Sequence, residues 1–160
     1  MLLCLASLCH AQNTPQTPDQ RRKEALQRLE KTLRDTMNWC DLSDATTQNA
    51  VVACAQQQET ALEPVREAHR KVAQALLDKE TRAASLAVLL NEWRVAVEDA
   101  RDQRKEAIAK LKAQADFTKQ PKLESFLTIT GLLGDEAGFI IGAEGHLLST
   151  LGNLMAAPPK

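Results

Sequence analysis

The chain is short of aromatic residues, and its long central region is almost free of glycine and proline. Only 3% of its 160 residues are aromatic, and Tyr is absent. All six Gly lie at or after Gly131. Between Pro18 and Pro121 the only proline is Pro64. About a hundred residues with one helix breaker exclude a β-rich domain and predict an all-α fold with a core of Ala and Leu.

A dominant charge sign and the signatures of catalysis are also missing. The 20 basic and 21 acidic residues are interleaved, so no face has the positive field that attracts nucleic acid. The sequence contains no C-x-x-C, H-E-x-x-H, phosphate-binding loop or nucleophile elbow. The few His and Cys residues leave little for nucleophilic catalysis. We therefore expect a non-enzymatic protein that binds no nucleic acid and needs no cofactor.

The first eleven residues, "MLLCLASLCHA", have the pattern of an export signal. An apolar run ends in Cys9-His10-Ala11, which places small residues at the two positions that signal peptidase reads, and polar residues follow. We predict a signal peptide over residues 1–11, cut after Ala11, and a linker over residues 12–16. Because no Lys or Arg precedes the short run, a signal truncated at its start is an open alternative.

Cleavage after Ala11 leaves two cysteines, Cys40 and Cys54. Ser43 is predicted to be a helix N-cap, which places Cys54 several turns along the following helix. At a rise of ~1.5 Å per residue, the two cysteines are then too far apart for the ~6 Å Cα separation of a disulfide. We expect two free thiols or an intermolecular bridge.

A helical hairpin domain is predicted over residues 17–116, and it begins with an N-terminal helix. Thr17 is the predicted N-cap, Pro18 occupies the first helical position, and Gln20 completes a capping box. Trp39 and Cys40 are predicted to end the helix. Its apolar face comprises Leu26, Leu29, Leu33 and Met37.

From Ser43 onward, core-type positions recur at spacings of four and three residues, which predicts a coiled-coil seam. The first run comprises Val51, Ala55, Gln58, Leu62, Val65, His69, Val72 and Leu76. The second run comprises Leu86, Leu90, Trp93, Val97, Ala100, Arg104, Ala107 and Leu111.

The polar run "DKETR", residues 78–82, separates these two runs and predicts a hairpin tip. A tip there exposes Lys79, which a continuous helix would place on the seam. Thr81 is predicted to cap the returning helix. Pro64 has no amide hydrogen and is predicted to kink the helix before the tip, which makes a bent hairpin. One continuous helix of about 70 residues, paired with a second chain, is the alternative that the spacing also allows.

Residues 117–160 form an apolar, glycine-spaced C-terminal segment. A short amphipathic helix is predicted over residues 122–133, after which Gly134, Gly138 and Gly142 recur every four residues. Acidic residues interrupt the segment before it reaches the ~18 apolar residues of a membrane span, so no transmembrane helix is predicted. These residues are Asp135, Glu136 and Glu144. We expect a helix and loop that cover the open end of the hairpin, with a self-association or membrane-surface segment as the alternative.

Three residues are weak candidates for metal ligands: His69, Cys54 and His146. Histidine is a common metal ligand, but a chelating pair on one helix face needs a second ligand three or four residues away. Those positions around His69 are held by Val65, Arg66, Val72 and Ala73. His69 is therefore predicted to be a structural residue that faces the partner helix, and no confident metal site is predicted.

The inner face of the bent hairpin is the candidate binding surface that remains. Long Arg and Lys side chains border it and cover apolar area with their stems. Such a surface suits loosely structured polypeptides. Its predicted residues are Val65, Val72, Leu76, Leu86, Leu90 and Trp93.

The stretch "LSDATTQ" opens the first helix of this hairpin. In that feature, and in its predicted export and helical content, the chain resembles the Spy/CpxP family of bacterial periplasmic stress proteins and their metal-resistance sensor relatives. In that family a Leu-Thr-x-x-Gln signature opens a long helix of a bent hairpin. Leu42 and Ser43 stand at the Leu-Thr positions, Thr46 stands where Gln is expected, and Gln48 follows two residues later. A second, degraded copy comprises Phe117, Thr118 and Gln120.

The resemblance implies a homodimer in the bacterial periplasm that binds partly unfolded proteins or signals envelope stress. It implies a periplasmic metal sensor as an alternative. The seam by itself predicts a further alternative, a coiled-coil structural or interaction module.

Overall fold

The computed structural model describes residues 17–134 of the chain. The helices are α1 Pro18–Trp39, α2 Ala45–Ala61, α3 Glu63–Leu77, α4 Ala83–Gln114 and α5 Pro121–Ile129, with a 3-10 turn at Phe117–Lys119. No strand occurs between residues 17 and 134, and the predicted all-α class is confirmed. The predicted signal peptide, the linker, Gly138, Gly142 and His146 lie outside the described residues.

Helix α1 begins and ends where its local signals predict. The hydroxyl of Thr17 accepts the Gln20 N–H at 3.3 Å, and the Gln20 side chain accepts the Thr17 N–H at 2.9 Å. At the other end, Asp41 adopts the left-handed backbone conformation with φ of 53°. The Leu42 N–H then donates to the Met37 carbonyl at 2.8 Å, which completes a Schellman motif. This tight reversal turns the chain from α1 back toward α2.

The N-cap of α2 differs from the prediction by one residue. Asp44, and not Ser43, accepts the N–H of Thr47, at 2.7 Å. A carboxylate is a stronger acceptor for the free N–H groups of a first helical turn than a hydroxyl. This hydrogen bond from the Thr47 backbone lowers the pKa of Asp44 below its ordinary value.

We expect the Asp44 cap to make part of the protein's stability depend on pH. Because the folded-state pKa is lowered, the carboxylate's contribution is present above the ordinary value of 3.8 and is lost as pH falls through the folded value. Asp44→Asn keeps an acceptor but does not titrate, so its urea midpoint should fall less than that of wild type between about pH 5 and pH 2. Ser43→Ala is the control and should follow wild type; an equal pH dependence in Asp44→Asn would contradict the assignment.

The predicted hairpin is present, and its first helix is interrupted beside Pro64, where the bend was predicted. Leu62 separates α2 from α3, and Pro64 lies in the first turn of α3, where its missing amide hydrogen is tolerated. The chain leaves α3 at Leu77, reverses over residues 78–82 and returns as α4, so it does not form one continuous helix. Thr81 does not cap α4 as predicted, because its hydroxyl donates to the Asp78 carboxylate at 2.9 Å.

The main hydrophobic core lies where α1, α2, the end of α4 and α5 meet. Its fully buried large side chains include Leu33, Met37, Val51, Leu111, Leu123, Leu127 and Leu132. The first part of the glycine-spaced segment therefore packs on the same core as the hairpin. We call this region the base. No described helix is long and apolar enough to cross a membrane.

The remaining part of the hairpin, residues 63–100, we call the arm. It consists of α3, the tip and the first part of α4. Near the base it has a small buried cluster of Ala61, Val65, Val97 and Ala100. Farther along α3 only Ala68 and Val72 are buried. The arm thus has much less core than the base.

The predicted seam is correct in α2 and in the second half of α4, whereas in α3 it is correct only at Val65 and Val72. Val51, Ala55 and Gln58 are buried, as are Arg104 and Leu111. In contrast, the α3 positions predicted to face the partner helix, His69 and Leu76, are exposed. Ala68 is buried in place of its neighbour His69.

Candidate functional site

The arm carries most of the large apolar side chains that the described structure exposes. Leu76 is 65% exposed, Leu77 84%, Val88 59% and Val95 52%. In the base only Trp39 and Ile129 are comparable. Exposed large apolar side chains that fall in one part of a structure are a mark of binding surfaces. The arm is therefore the candidate functional surface.

The thinness of the arm explains this exposure. Along the arm α3 and α4 pack on each other, whereas in the base α2 packs on both α1 and α4. One neighbouring helix covers only one side of α4, so its apolar residues beyond Val97 are at best half-buried. These half-buried residues are Leu86, Leu89, Leu90 and Trp93.

The six residues predicted to bind clients divide into three groups. Val65 and Val72 are buried between the two helices of the arm, so they are not available to a partner while the arm is closed. Leu86, Leu90 and Trp93 are half-buried, and Leu76 is exposed. The prediction missed Leu77, Val88 and Val95, which lie off the seam. Leu77 and Val88 stand in the apolar runs "LL" and "LAVLL", which contain more apolar residues than a single seam needs. Val95 has no such signal in the sequence.

Exposed ion pairs border the apolar surface. Arg70 pairs with Glu67, and the Arg101 guanidinium lies 2.6 Å from the Glu98 carboxylate. Such exposed pairs add little to stability. Because each pair contains one basic and one acidic side chain, the arm presents charges of both signs, which suits partners of varied sequence.

A cleft of about 740 Å³ lies between the start of α1 and the junction of α2 and α3. Its wall includes Arg66, whose Nη1 is 2.7 Å from Glu59 and 3.6 Å from Glu63. Burial lowers the pKa of Arg66, but the hydrogen bond and charge of Glu59, together with Glu63, outweigh it and raise the pKa. Since these charges are matched within the wall itself, the cleft makes a weaker case for a ligand site than the arm.

The residues that carry the family resemblance lie at the turn between α1 and α2. Ser43 and Thr46 are exposed, and Leu42 is half-buried. The late glutamine, Gln48, is buried, and its Nε2 donates to the Leu42 carbonyl at 3.0 Å and to Asn38 Oδ1 at 2.6 Å. Gln48 therefore fixes the turn, a structural role that its position in the sequence did not reveal.

The weak metal candidates are not brought together. His69 is exposed on α3, whereas Cys54 is buried on α2. Within residues 17–134, no three His, Cys, Asp or Glu side chains are grouped as a metal site requires. Cys40 and Cys54 form no disulfide with each other, as their predicted separation required.

We expect the two thiols to differ strongly in reactivity. Burial raises the pKa of the Cys54 thiol, although a hydrogen bond from Gln58 and the charge of Arg104 oppose this effect. Cys40 is only half-buried. In the chain from Gln12 onward, one equivalent of a thiol reagent should therefore react under native conditions and a second only after unfolding. Cys40→Ser should remove the fast reaction; its loss in Cys54→Ser instead would contradict the assignment.

No family model, curated protein or solved structure matches the chain. The resemblance to the Spy/CpxP family accordingly remains a prediction from the sequence. The case for function rests on the exposed apolar surface of the arm.

Proposed function

We propose that this protein is a non-enzymatic, exported binding protein for partly unfolded polypeptides, acting in the bacterial periplasm as a Spy/CpxP-like protein. The observation that carries the proposal is the exposure of four large apolar side chains on a two-helix arm. We call the bound polypeptides clients.

The chemistry of the arm fits such clients. Unfolded chains expose apolar side chains, and burial of apolar area is favourable by ~25 cal/mol per Å² without any directional requirement. The arm offers exposed apolar side chains on both of its helices together with charges of both signs, so it imposes little sequence specificity. A binding protein of this kind holds a client without a catalytic group or a cofactor.

The proposal is tested by the suppression of aggregation. We expect the chain from Gln12 onward to reduce light scattering from a chemically denatured test protein at near-equal molar ratio. Leu77→Ser/Val88→Ser should lose at least about half of this effect, because both side chains are mainly exposed and contribute little to folding.

Ile129→Ser is the matched control. Ile129 is 54% exposed, but it lies on α5 in the base, and its replacement should leave suppression unchanged. No suppression by the wild-type chain, even in molar excess, would overturn the client-binding function. Equal loss in the control would show that the arm is not the binding surface.

A coiled-coil interaction module is the second candidate function. The same exposed apolar residues on the arm favour it, because they would be covered if two copies associated as a homodimer. Sedimentation equilibrium distinguishes the two: association that Leu77→Ser/Val88→Ser abolishes, without any client effect, would favour the module.

A further inference from the structure

The cleft at the start of α1 has one wall whose charges are unmatched. Its volume of about 740 Å³ lies within the ~300–1,000 Å³ that is typical of ligand sites. On α1 it is lined by Pro18, Arg21, Arg22, Ala25 and Leu26. Neither the Arg21 nor the Arg22 guanidinium has a hydrogen bond or an ion pair among residues 17–134. The α1 wall therefore carries two cations without a partner.

Arg22 lies on the face of α1 that elsewhere packs into the base. It precedes Leu26 by four residues, Leu29 by seven and Leu33 by eleven, so the four side chains share one face of the helix. Leu29 and Leu33 are buried and Leu26 is half-buried, whereas Arg22 is exposed. The apolar face of α1 thus ends in a cation beside the junction of α2 and α3, where Arg22 lines the cleft and not the core.

The opposite wall, formed by α2 and α3, does not supply the missing partners. Glu59 and Glu63 lie 2.7 Å and 3.6 Å from the guanidinium of Arg66, and Glu67 pairs with Arg70. Because each glutamate of this wall already has a cation beside it, the wall repels an incoming anion much less than three free carboxylates would. The charge that the cleft leaves available is therefore positive.

The cleft is continuous with the arm along α3. Arg66, Arg70, Ala73 and Leu77 recur at i, i+4, i+7 and i+11, so they lie on one face of the helix. Arg66 and Arg70 line the cleft, and Leu77 near the tip is 84% exposed. The helix between Arg66 and Leu77 is ~17 Å long, a distance that about five residues of an extended chain can span. One short polypeptide segment can therefore reach both places.

Guanidinium groups bind carboxylates through paired hydrogen bonds, which are about twice as strong as bonds between neutral groups. Leu26 and Ala25 line the cleft beside the two arginines and can contact the aliphatic stem of an acidic side chain. We infer that Arg21 and Arg22 bind carboxylate side chains of partly unfolded polypeptides in this cleft. The inference rests on the proposed function, and it gives the clients a chemical class: segments in which an acidic residue lies about five residues from a large apolar one.

Fluorescence anisotropy with two labelled peptides tests the inference. The first is an unstructured peptide of Leu, Ser and Glu, and the second has Gln in place of every Glu. We expect the chain from Gln12 onward to bind the acidic peptide about fivefold more tightly than the Gln peptide at low salt. Arg21→Gln/Arg22→Gln should reduce this preference to less than about twofold, because no unpaired guanidinium then remains to bind the carboxylates.

Lys23→Gln/Lys31→Gln is the matched control. It removes the same charge from the same helix, but both lysines are exposed and lie outside the cleft, so the preference should remain. Circular dichroism checks that both double variants remain folded. A preference that persists in Arg21→Gln/Arg22→Gln would overturn the inference. An equal loss in the control would also overturn it, because attraction by net charge would then explain the preference.

The arm variant separates this inference from the proposed function. Leu77→Ser/Val88→Ser should weaken the binding of both peptides, whereas Arg21→Gln/Arg22→Gln should weaken that of the acidic peptide alone. Equal binding of the two peptides by wild type, with the effect of the arm variant intact, would preserve the client-binding function and overturn the role of the cleft. A preference for the acidic peptide without any effect of the arm variant would support the cleft and overturn the arm as the client surface.

Citrate distinguishes a polypeptide from a small anion as the occupant of the cleft. An anion that binds only the folded state raises the melting temperature. A rise with citrate that exceeds the rise with sodium chloride at the same ionic strength, is absent in Arg21→Gln/Arg22→Gln and occurs without any preference for the acidic peptide would mean that the cleft binds small anions only. The assignment to polypeptide carboxylates would then be wrong.

Discussion

Replacing Leu33 by Ala will lower the free energy of unfolding by about 2–5 kcal/mol, whereas Leu77→Ala will change it by less than about 0.5 kcal/mol. Leu33 is fully buried in the base, and Leu77 on the arm is 84% exposed. Both residues lie in helices, where Leu and Ala are similarly favourable, so the difference reports burial alone. Urea unfolding followed by circular dichroism measures both values.

This pair of variants also tests the division into base and arm. Leu127→Ala, in α5, should resemble Leu33→Ala, because Leu127 is fully buried in the same core. A cost for Leu77→Ala that approaches that of Leu33→Ala would mean that the arm tip is covered in solution. Concentration dependence of that cost would identify a second copy as the cover.

Local signals in the sequence were enough to predict α1. The capping box of Thr17 and Gln20 is a contact between residues three apart, so it depends on nothing distant. The tip was predictable for a similar reason, because residues 78–82 have no apolar side chain to bury. These features are decided within a few residues of the chain.

The exact residue that caps a helix was less predictable than the position of the helix. Ser43 and Asp44 are both good N-cap residues, and the turn that ends α1 decides which of them reaches the free N–H groups. Thr81 likewise has two possible partners, and the nearby carboxylate of Asp78 takes its hydroxyl. One-residue errors of this kind arise because the propensities are nearly equal.

The error at His69 has a different cause. Val65 and Val72 on either side of it are buried as predicted, so the seam continues through α3, and between them only the choice between Ala68 and His69 was wrong. Ala68 then occupies the buried position, and His69 turns outward. Which of two adjacent residues faces α4 depends on how α3 packs against it, and the spacing alone does not decide that.

The candidate site was only partly predictable because seam patterns identify residues that one helix buries against another. Val65 and Val72 fit that pattern and are buried for that reason. Exposure of Leu77 and Val88 depends on the absence of a further helix over the arm in the described structure. Which helices cover which faces is decided by packing between distant parts of the chain.

The partners of Arg104 also depend on distant parts of the chain. The sequence placed this residue on the seam but did not indicate its hydrogen-bond acceptors. Its side chain is only 6% exposed, and it donates to the carbonyls of Leu132 and Gly134, which are 28 and 30 residues away. A buried guanidinium can be held by backbone carbonyls of a distant turn, and those carbonyls carry no sequence signature.

We expect Arg104→Ala to lower the free energy of unfolding by about 2–4 kcal/mol, since hydrogen bonds from a charged donor to buried acceptors are lost together with side-chain packing. Arg104→Met keeps most of the packing of the side-chain stem but has no hydrogen-bond donor. The loss of stability in Arg104→Met, compared with that in Arg104→Ala, therefore reports the contribution of the hydrogen bonds. Lys105→Ala removes an exposed neighbour with an ion pair to Asp102 and should cost less than about 0.5 kcal/mol.

Hydrogen exchange locates the effect of losing Arg104. The Leu133 N–H donates to the Leu127 carbonyl at 3.1 Å, within the turn whose carbonyls Arg104 holds. In Arg104→Met this amide should exchange faster by a larger factor than amides of α1, because the turn opens locally before the base unfolds. Equal acceleration in α1 and at Leu133 would show that Arg104 stabilises the whole base and does not specifically anchor the turn. Selective acceleration would establish Arg104 as the anchor of the turn after α5.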